Sequence, residues 1–459
     1  MSITAAPAAS TPAPAKDWTD EIRQPSPDVT LGADLRIRDE YLSNTSMGMA
    51  GSASLTNQIR IRSRFWTGVK LCDTVSLNGR LTSEMRQFTH PPKGADGKIG
   101  ASGGYRIGRF DYDEIIADSL TVKWTKMFGE PLTLTAGRQD IILGNGWIVC
   151  DGTPRDGSRT LFFDAARFNW DHAASKTVFD LVLMNNSAAP DRFIAPLEAR
   201  DFRQYLSEQN EQGVVLYATN KSIAKTQLDG YFVYKHDQPV YAFASTGAAR
   251  FPTSAGEIYA PGARIVTDIN ANWRARAEAA VEFGHKNSQD LRAYGFNSQL
   301  LYSLKDDLNN RLRLGYECLS GDDAGTARKN ERWDPLWGRW PQVSELLIYN
   351  PTVGPRPFEW GNFQRINIGY SASPCKKAEF SMDYNAFFAL EKEPVRGTLT
   401  SGNQRGQLFS AMVEYTYNRH VRGHLRAEYF WPGDYYDRLP AILDRGVQTF
   451  LRAEIYLTF

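Results

Sequence analysis

The chain has 459 residues, 42% of them hydrophobic, and sets 53 Lys and Arg against 52 Asp and Glu for a formal charge of +1. A charge so evenly balanced marks no nucleic-acid partner, and any electrostatic function rests on how the charges are distributed. No run of about eighteen apolar residues occurs, which excludes a helical membrane protein but not a β-barrel, whose lipid-facing and water-facing residues alternate.

Residues 1–28 read as a mobile Ala/Pro-rich segment and connector, and residues 29–459 as one domain. Met1 to Lys16 is rich in Ala, Pro and Ser and is expected to be extended. It has neither the basic start nor the apolar centre of a secretory signal. A barrel needs export, so its signal is expected to be missing from this chain.

From Val29, Leu31, Ala33, Leu35 and Ile37 share one face, with Asp34, Arg36, Arg38 and Glu40 on the other. Thr56 to Lys70 gives the clearest pattern. Gln58, Arg60, Arg62 and Arg64 lie on one side, and Ile59, Ile61 and Phe65 on the other. Such alternation is the signature of a strand, and this run exceeds the usual strand of about five or six residues. An arginine on a lipid face costs about 2–4 kcal/mol near the midplane. The isoleucine side therefore meets lipid and the arginine side a wet lumen.

Leu77, Gly79, Leu81 and Met85 then oppose Asn78, Arg80, Glu84 and Arg86, and a long polar loop follows from His90 to Gly104. Further strands are expected at 116–126, 132–139, 160–170, 177–185, 213–219, 227–236 and 258–269. Next, Trp273, Ala275, Ala277, Ala279, Val281 and Phe283 oppose Arg274, Arg276, Glu278 and Glu282. The remainder are expected at 291–304, 311–319, 363–371, 379–390, 407–417, 425–431 and 447–459, the last ending on Phe459 as outer-membrane barrels do. Eighteen or nineteen segments result, and even strand numbers favour about eighteen. The fold class is thus an all-β antiparallel transmembrane barrel with a polar, arginine-rich lumen. A backbone diameter of about 35 Å requires loops or side chains to narrow it.

Parity places Arg36, Arg38, Arg60, Arg62, Arg64, Arg80, Arg86, Arg274, Arg276, Arg311, Arg313, Arg426 and Arg452 inward. Asp34, Glu40, Glu84, Glu278, Glu282, Glu317, Glu428 and Glu454 accompany them. Two readings stand: the charges brace a water-filled barrel by pairing across strands, or a surplus of arginine guides carboxylates, whose geometry it matches. The densest surplus is Arg60, Arg62 and Arg64 beside Arg36 and Arg38. The aromatic run Trp333 to Trp340 either stacks sugar rings or anchors the barrel at the membrane interface. Cys72, Cys150, Cys318 and Cys375 are too scattered for a metal site, and no hydrolase or nucleotide motif is present. No cofactor, metal or catalysis is implied.

Gly137 to Arg167 runs GRQDIILGNGWIVCDGTPRDGSRTLFFDAAR, and Trp333 to Tyr349 runs WDPLWGRWPQVSELLIY. In these two blocks, which contain Gly137, Gln139, Asp164, Trp337, Arg339 and Trp340, the chain resembles the alginate-export family of outer-membrane porins. The resemblance implies an eighteen-stranded barrel that exports or passes a polysaccharide through an arginine-rich constriction. On this sequence Arg138, Arg155, Arg159 and Arg167 are the motif positions for it, and Arg138 with Asp164 or Asp140 is the alternative structural pin. The expected function is an outer-membrane channel for a hydrophilic, anionic carbohydrate. Its partners would be membrane lipid, an anionic oligo- or polysaccharide and a periplasmic export component. The rivals are a structural barrel that docks such a component and a membrane-embedded hydrolase.

Overall fold

A computed structural model describes residues 18–44, 55–90, 110–150, 162–189, 193–197, 207, 209–240, 254–339, 341–349, 360–395, 398–438 and 446–459. Alternating side chains yield long strands that pair in sequence order. They are β1 (Val29–Ser43), β2 (Leu55–Lys70), β3 (Val75–His90), β4 (Phe110–Trp124), β5 (Leu132–Gln139) and β6 (Phe163–His172). There follow β7 (Thr177–Asn186), β8 (Asn210–Asn220), β9 (Thr226–Gln238), β10 (Gly256–Asp268), β11 (Trp273–Lys286) and β12 (Gln289–Ser303). The last are β13 (Arg311–Leu319), β14 (Phe363–Cys375), β15 (Ala378–Phe388), β16 (Gln404–Thr416), β17 (Val421–Pro432) and β18 (Gln448–Thr458).

The pairing of β1 with β18, from Asp34 opposite Thr458 to Ser43 opposite Thr449, closes the barrel. Closure leaves the sheet without an edge, which is what hydrocarbon demands of a spanning β-structure. A nineteenth segment of the same sheet, Lys329–Asn330, pairs in parallel with the start of β12 and is not a barrel stave. Several strands extend beyond the expected ends: 425–431 grows to Val421–Pro432 and 363–371 to Phe363–Cys375. Ladder hydrogen bonds run into the turns, where the hydrophobic alternation has already lapsed. The segment expected at 160–170 is observed as Phe163–His172, and residues 160 and 161 lie outside the described residues, as do 1–17 and 91–104.

At one end the strands join through short turns, such as 71–74, 173–176, 376–377 and 417–420. At the other, connections such as 140–162 and 320–362 are long. A one-turn helix, α1 (Trp18–Arg23), lies at the short-turn end, with Asp20 3.6 Å from Arg419. Outward positions carry exposed apolar side chains, Phe65, Ile368 and Leu425 among them. Cys72, Cys318 and Cys375 are free thiols.

The buried apolar core lies inside the barrel. Inward positions toward the long-loop end include Val182, Val215, Val233, Leu291, Phe363, Leu408, Phe430 and Phe450, and all of these are buried. Against them pack Ile141, Leu143, Ile148 and Val149 from one loop, and Trp333, Leu336, Trp337, Leu346 and Leu347 from another. Each such side chain contributes about 1.5–3 kcal/mol on burial, enough in sum to hold two loops within the lumen.

Candidate functional site: a charged wall and two inward loops

The wall formed by β18, β1, β2 and β3 sets arginine opposite arginine. Arg36 pairs with Arg62, and Arg38 with Arg60; Arg60 pairs in turn with Arg86, and Arg426 with Arg452 on the next strands. Like charges directly opposite are destabilising, so each pair requires an anion. Arg60 lies 3.2 Å from Glu40 and 3.0 Å from Glu84, which is also 3.2 Å from Arg36. Asp34 takes Arg64 at 2.7 Å and Tyr456 at 2.8 Å, with Arg62 3.6 Å away. Glu454 accepts from Arg38, and Glu40 from Arg452 at 2.9 Å. Arg36, Arg38, Arg60, Arg62 and Arg452 are all at most 3% exposed. Arg36, Arg38, Arg60, Arg62, Arg64, Arg86 and Arg452 together outnumber Asp34, Glu40, Glu84 and Glu454, so the wall is both braced and net positive.

Arg80, also on β3, bridges Asp118 and Asp140, each at 2.8 Å, and the other arginines singled out by sequence lie apart from this wall. Arg138 forms a two-pronged pair with Asp164, at 2.9 and 3.2 Å, beneath the ring of Phe162. Gly137 has φ +123, and a Cβ there would fall 2.2 Å from the carbonyl oxygen of Leu120. This left-handed residue is where β5 gives up its regular alternation to seat Arg138. Gln139 donates to the carbonyls of Thr135 and Ala165, at 3.1 and 3.0 Å. Together these residues fix the root of the inward loop 140–150. Arg167 pairs with Asp180 at 2.7 Å, Arg313 with Asp383 at 2.8 Å, and Arg311 with Glu379 at 3.4 Å. Arg274 is half exposed, 3.7 Å from Asp268, and Arg276 stands next to it on the same face. Arg155, Arg159 and Trp340 lie outside the described residues.

Residues 333–339 are tied to one wall of the lumen and residues 341–349 to the opposite one. At the first end Asp334 lies 3.3 Å from Lys235 of β9 and 2.6 Å from Lys286 of β11, and its backbone N–H donates to Glu282 at 2.8 Å. Glu211 of β8 accepts from the Trp337 indole at 3.0 Å and from Arg339. The indole lies where a side chain at position 213 would be, since a Cβ on Gly213 would come within 2.2 Å of its ring. At the far end Glu428 of β17 accepts from Ser344 Oγ and from the backbone N–H groups of Glu345 and Leu346, at 2.5, 3.1 and 2.9 Å. Loop 140–150 lies alongside. Trp337 N–H donates to the Ile148 carbonyl at 3.0 Å, Trp147 stacks on Trp333 and donates to Glu317 at 3.1 Å, and Asn145 accepts from Arg264. Trp333 and Trp337 are therefore buried in the lumen, and neither anchors the barrel at the lipid interface.

A sequence model of the alginate export family matches residues 28–441. The chain belongs to that family. No curated protein matches its sequence. Among solved structures it is similar to the Pseudomonas aeruginosa porin OccK7 (OpdD), with a TM-score of 0.57 at 10% identity over 95% of this chain and 99% of that one. A BenF-like porin from Pseudomonas fluorescens Pf-5 gives 0.57 at 10% identity over 94% and 99%. Pseudomonas aeruginosa OpdK, whose structure is with vanillate, gives 0.56 at 10% identity over 94% and 98%. At that identity the likeness is one of fold. This alginate export family member is an outer-membrane β-barrel channel.

In this family member the lumen combines a positive wall with a bridged cross-section. Parity alone reached the wall arginines and their acidic companions. It missed Glu211, Lys235, Asp334 and Glu345, which tie the crossing segment in place. A signal for that segment was present in runs such as Gly213-Val214-Val215-Leu216 and Tyr231-Phe232-Val233, which are apolar on both faces. Strands buried on both sides read this way, and in a barrel the inner cover has to come from loops.

Proposed function

We propose that the barrel passes or exports a hydrophilic, anionic carbohydrate such as a uronate oligomer or polymer by passive diffusion. The observation that carries this reading is arginine opposite arginine along the wall of β1, β2 and β3. Carboxylates on β1 and β3 themselves, with Glu454 of β18, incompletely neutralise that register, leaving a surplus that favours a mobile carboxylate. Guanidinium groups lower the barrier for an anion to enter, and the interleaved Asp34, Glu40 and Glu84 keep its binding weak enough for release. Single-channel recording in planar bilayers under a salt gradient tests this. Anion-selective openings that uronate oligomers block are expected, and replacing Arg60, Arg62 and Arg64 together with Gln should move the reversal potential toward cation preference. An unchanged reversal potential would count against the proposal.

The crossing segment favours a second reading, in which the barrel conducts little until a periplasmic partner docks. A near-silent purified barrel, together with capture of a stoichiometric periplasmic partner, would favour it.

A further inference from the structure

Arg426 and Arg452 stand opposite each other on β17 and β18, and the wall supplies only part of the charge they need. Glu428 already accepts from Ser344 Oγ and two backbone N–H groups, and lies 3.2 Å from Arg426 Nε. Glu40 is shared among Arg452, Arg60 and Gln58. The remaining anion comes from the crossing segment: Glu345 Oε1 accepts from Arg426 Nη1 at 3.3 Å, and Oε2 from Arg452 Nη2 at 3.1 Å. One carboxylate thus spans two guanidinium groups in a pocket where Glu345 is only 6% exposed and Arg452 3%. Two charge-assisted hydrogen bonds of this kind would hold any carboxylate equally well.

We propose that Arg426 and Arg452 form a carboxylate-binding site that the chain's own Glu345 occupies, so that an incoming substrate carboxylate displaces Glu345 and releases the far end of the crossing segment. This rests on the reading of the channel as one for anions. Through Glu40, Arg452 adjoins Arg60, so the site is continuous with the positive wall. The two ends of the segment differ in a way that suits a hinge. At the first end, Asp334, Trp337 and Arg339 bind three strands, and Trp337 is also tied to loop 140–150. Among the described residues the far half is tied by Gln342, which donates to the Gly146 carbonyl at 2.7 Å, and at its tip by Ser344, Glu345 and Leu346. Once Glu345 is displaced, the amides of Glu345 and Leu346 keep only their bonds to Glu428 and lose the support of the two guanidinium contacts beside them.

Hydrogen exchange on the full-length protein in nanodiscs reads this directly at the amides of Glu345, Leu346 and Leu347. Sodium D-glucuronate is expected to speed their exchange about fivefold or more, within the usual range of coupling between sites, while glucose leaves them unchanged. Glu345→Gln should exchange fast without ligand and gain nothing from it. Ser344→Ala, which loosens the segment but keeps Glu345 on its arginines, should start faster than wild type and still respond to glucuronate. Wild-type exchange that glucuronate leaves unchanged up to about 100 mM, where even a millimolar site is filled, overturns the inference. If bilayer recordings are anion-selective despite that result, the channel reading stands and only the displaced glutamate falls. If the amides respond but conductance shows no anion preference, the site stands and the channel reading falls.

Discussion

Truncating Trp337 to alanine should unlatch the lumen without opening the wall. The side chain is 1% exposed, fills the space above Gly213 and donates its indole N–H to Glu211 at 3.0 Å. A tryptophan buries roughly 150–250 Å², and truncating one in a core costs about 3–5 kcal/mol. Glu211 keeps Arg339, so the lost hydrogen bond adds only about 1 kcal/mol. A total near 5 kcal/mol is between three and four decades in a local equilibrium. All of it falls on a loop packed inside a barrel whose strands remain paired. Single-channel recording in planar bilayers should therefore show larger mean conductance and more frequent open periods than wild type. Heat-modifiable migration on gels would confirm that the variant barrel has folded. A folded variant with wild-type traces would refute the claim that residues 333–349 bridge the conducting path.

Other outcomes follow from single contacts. Gly137→Ala forces a side chain into a left-handed position 2.2 Å from a carbonyl oxygen; at about 1–3 kcal/mol of strain or more, it should lower the folded yield and the urea midpoint. Lys235→Met leaves Asp237 and Asp334 buried beside it, 3.0 and 3.3 Å from the lost ammonium. Breaking such a pair costs about 3–5 kcal/mol, so loop 320–362 should become a protease target while the barrel stays folded. In the connection 389–403, burial by itself would raise the Glu393 carboxyl, but Arg332 and Arg405 more than offset this and hold it below its ordinary value. A depressed folded pKa gives stability that is complete above the unfolded value of about 4.3 and lost as pH falls through the folded one. Protection of the amides of Glu393 and Thr400, which bond across this connection, should fall, relative to their intrinsic exchange rates, as pH falls below about 4, and Arg332→Met, which leaves Arg405, should weaken that dependence.

Period-two alternation determined that the chain is a barrel and gathered the arginines of β1 and β2 on one face of their strands, because each strand must offer one face to lipid and the other to water. Ile37 opposite Ile61 and Arg38 opposite Arg60 are both consequences of that parity. The same rule also fixed the approximate strand count, since each long alternating run is one crossing. What occupies the lumen was decided only by tertiary structure. Trp337 and Glu345 lie in a segment without periodicity, and their partners Glu211, Glu428 and Arg452 are 126, 83 and 107 residues away. A loop folded into a barrel meets strands from every part of the chain, so its contacts follow from closure and leave no local pattern. Closure likewise decided that Glu345 rests on Arg426 and Arg452: parity turned both arginines inward, and only the folded chain carried a glutamate across the lumen to them.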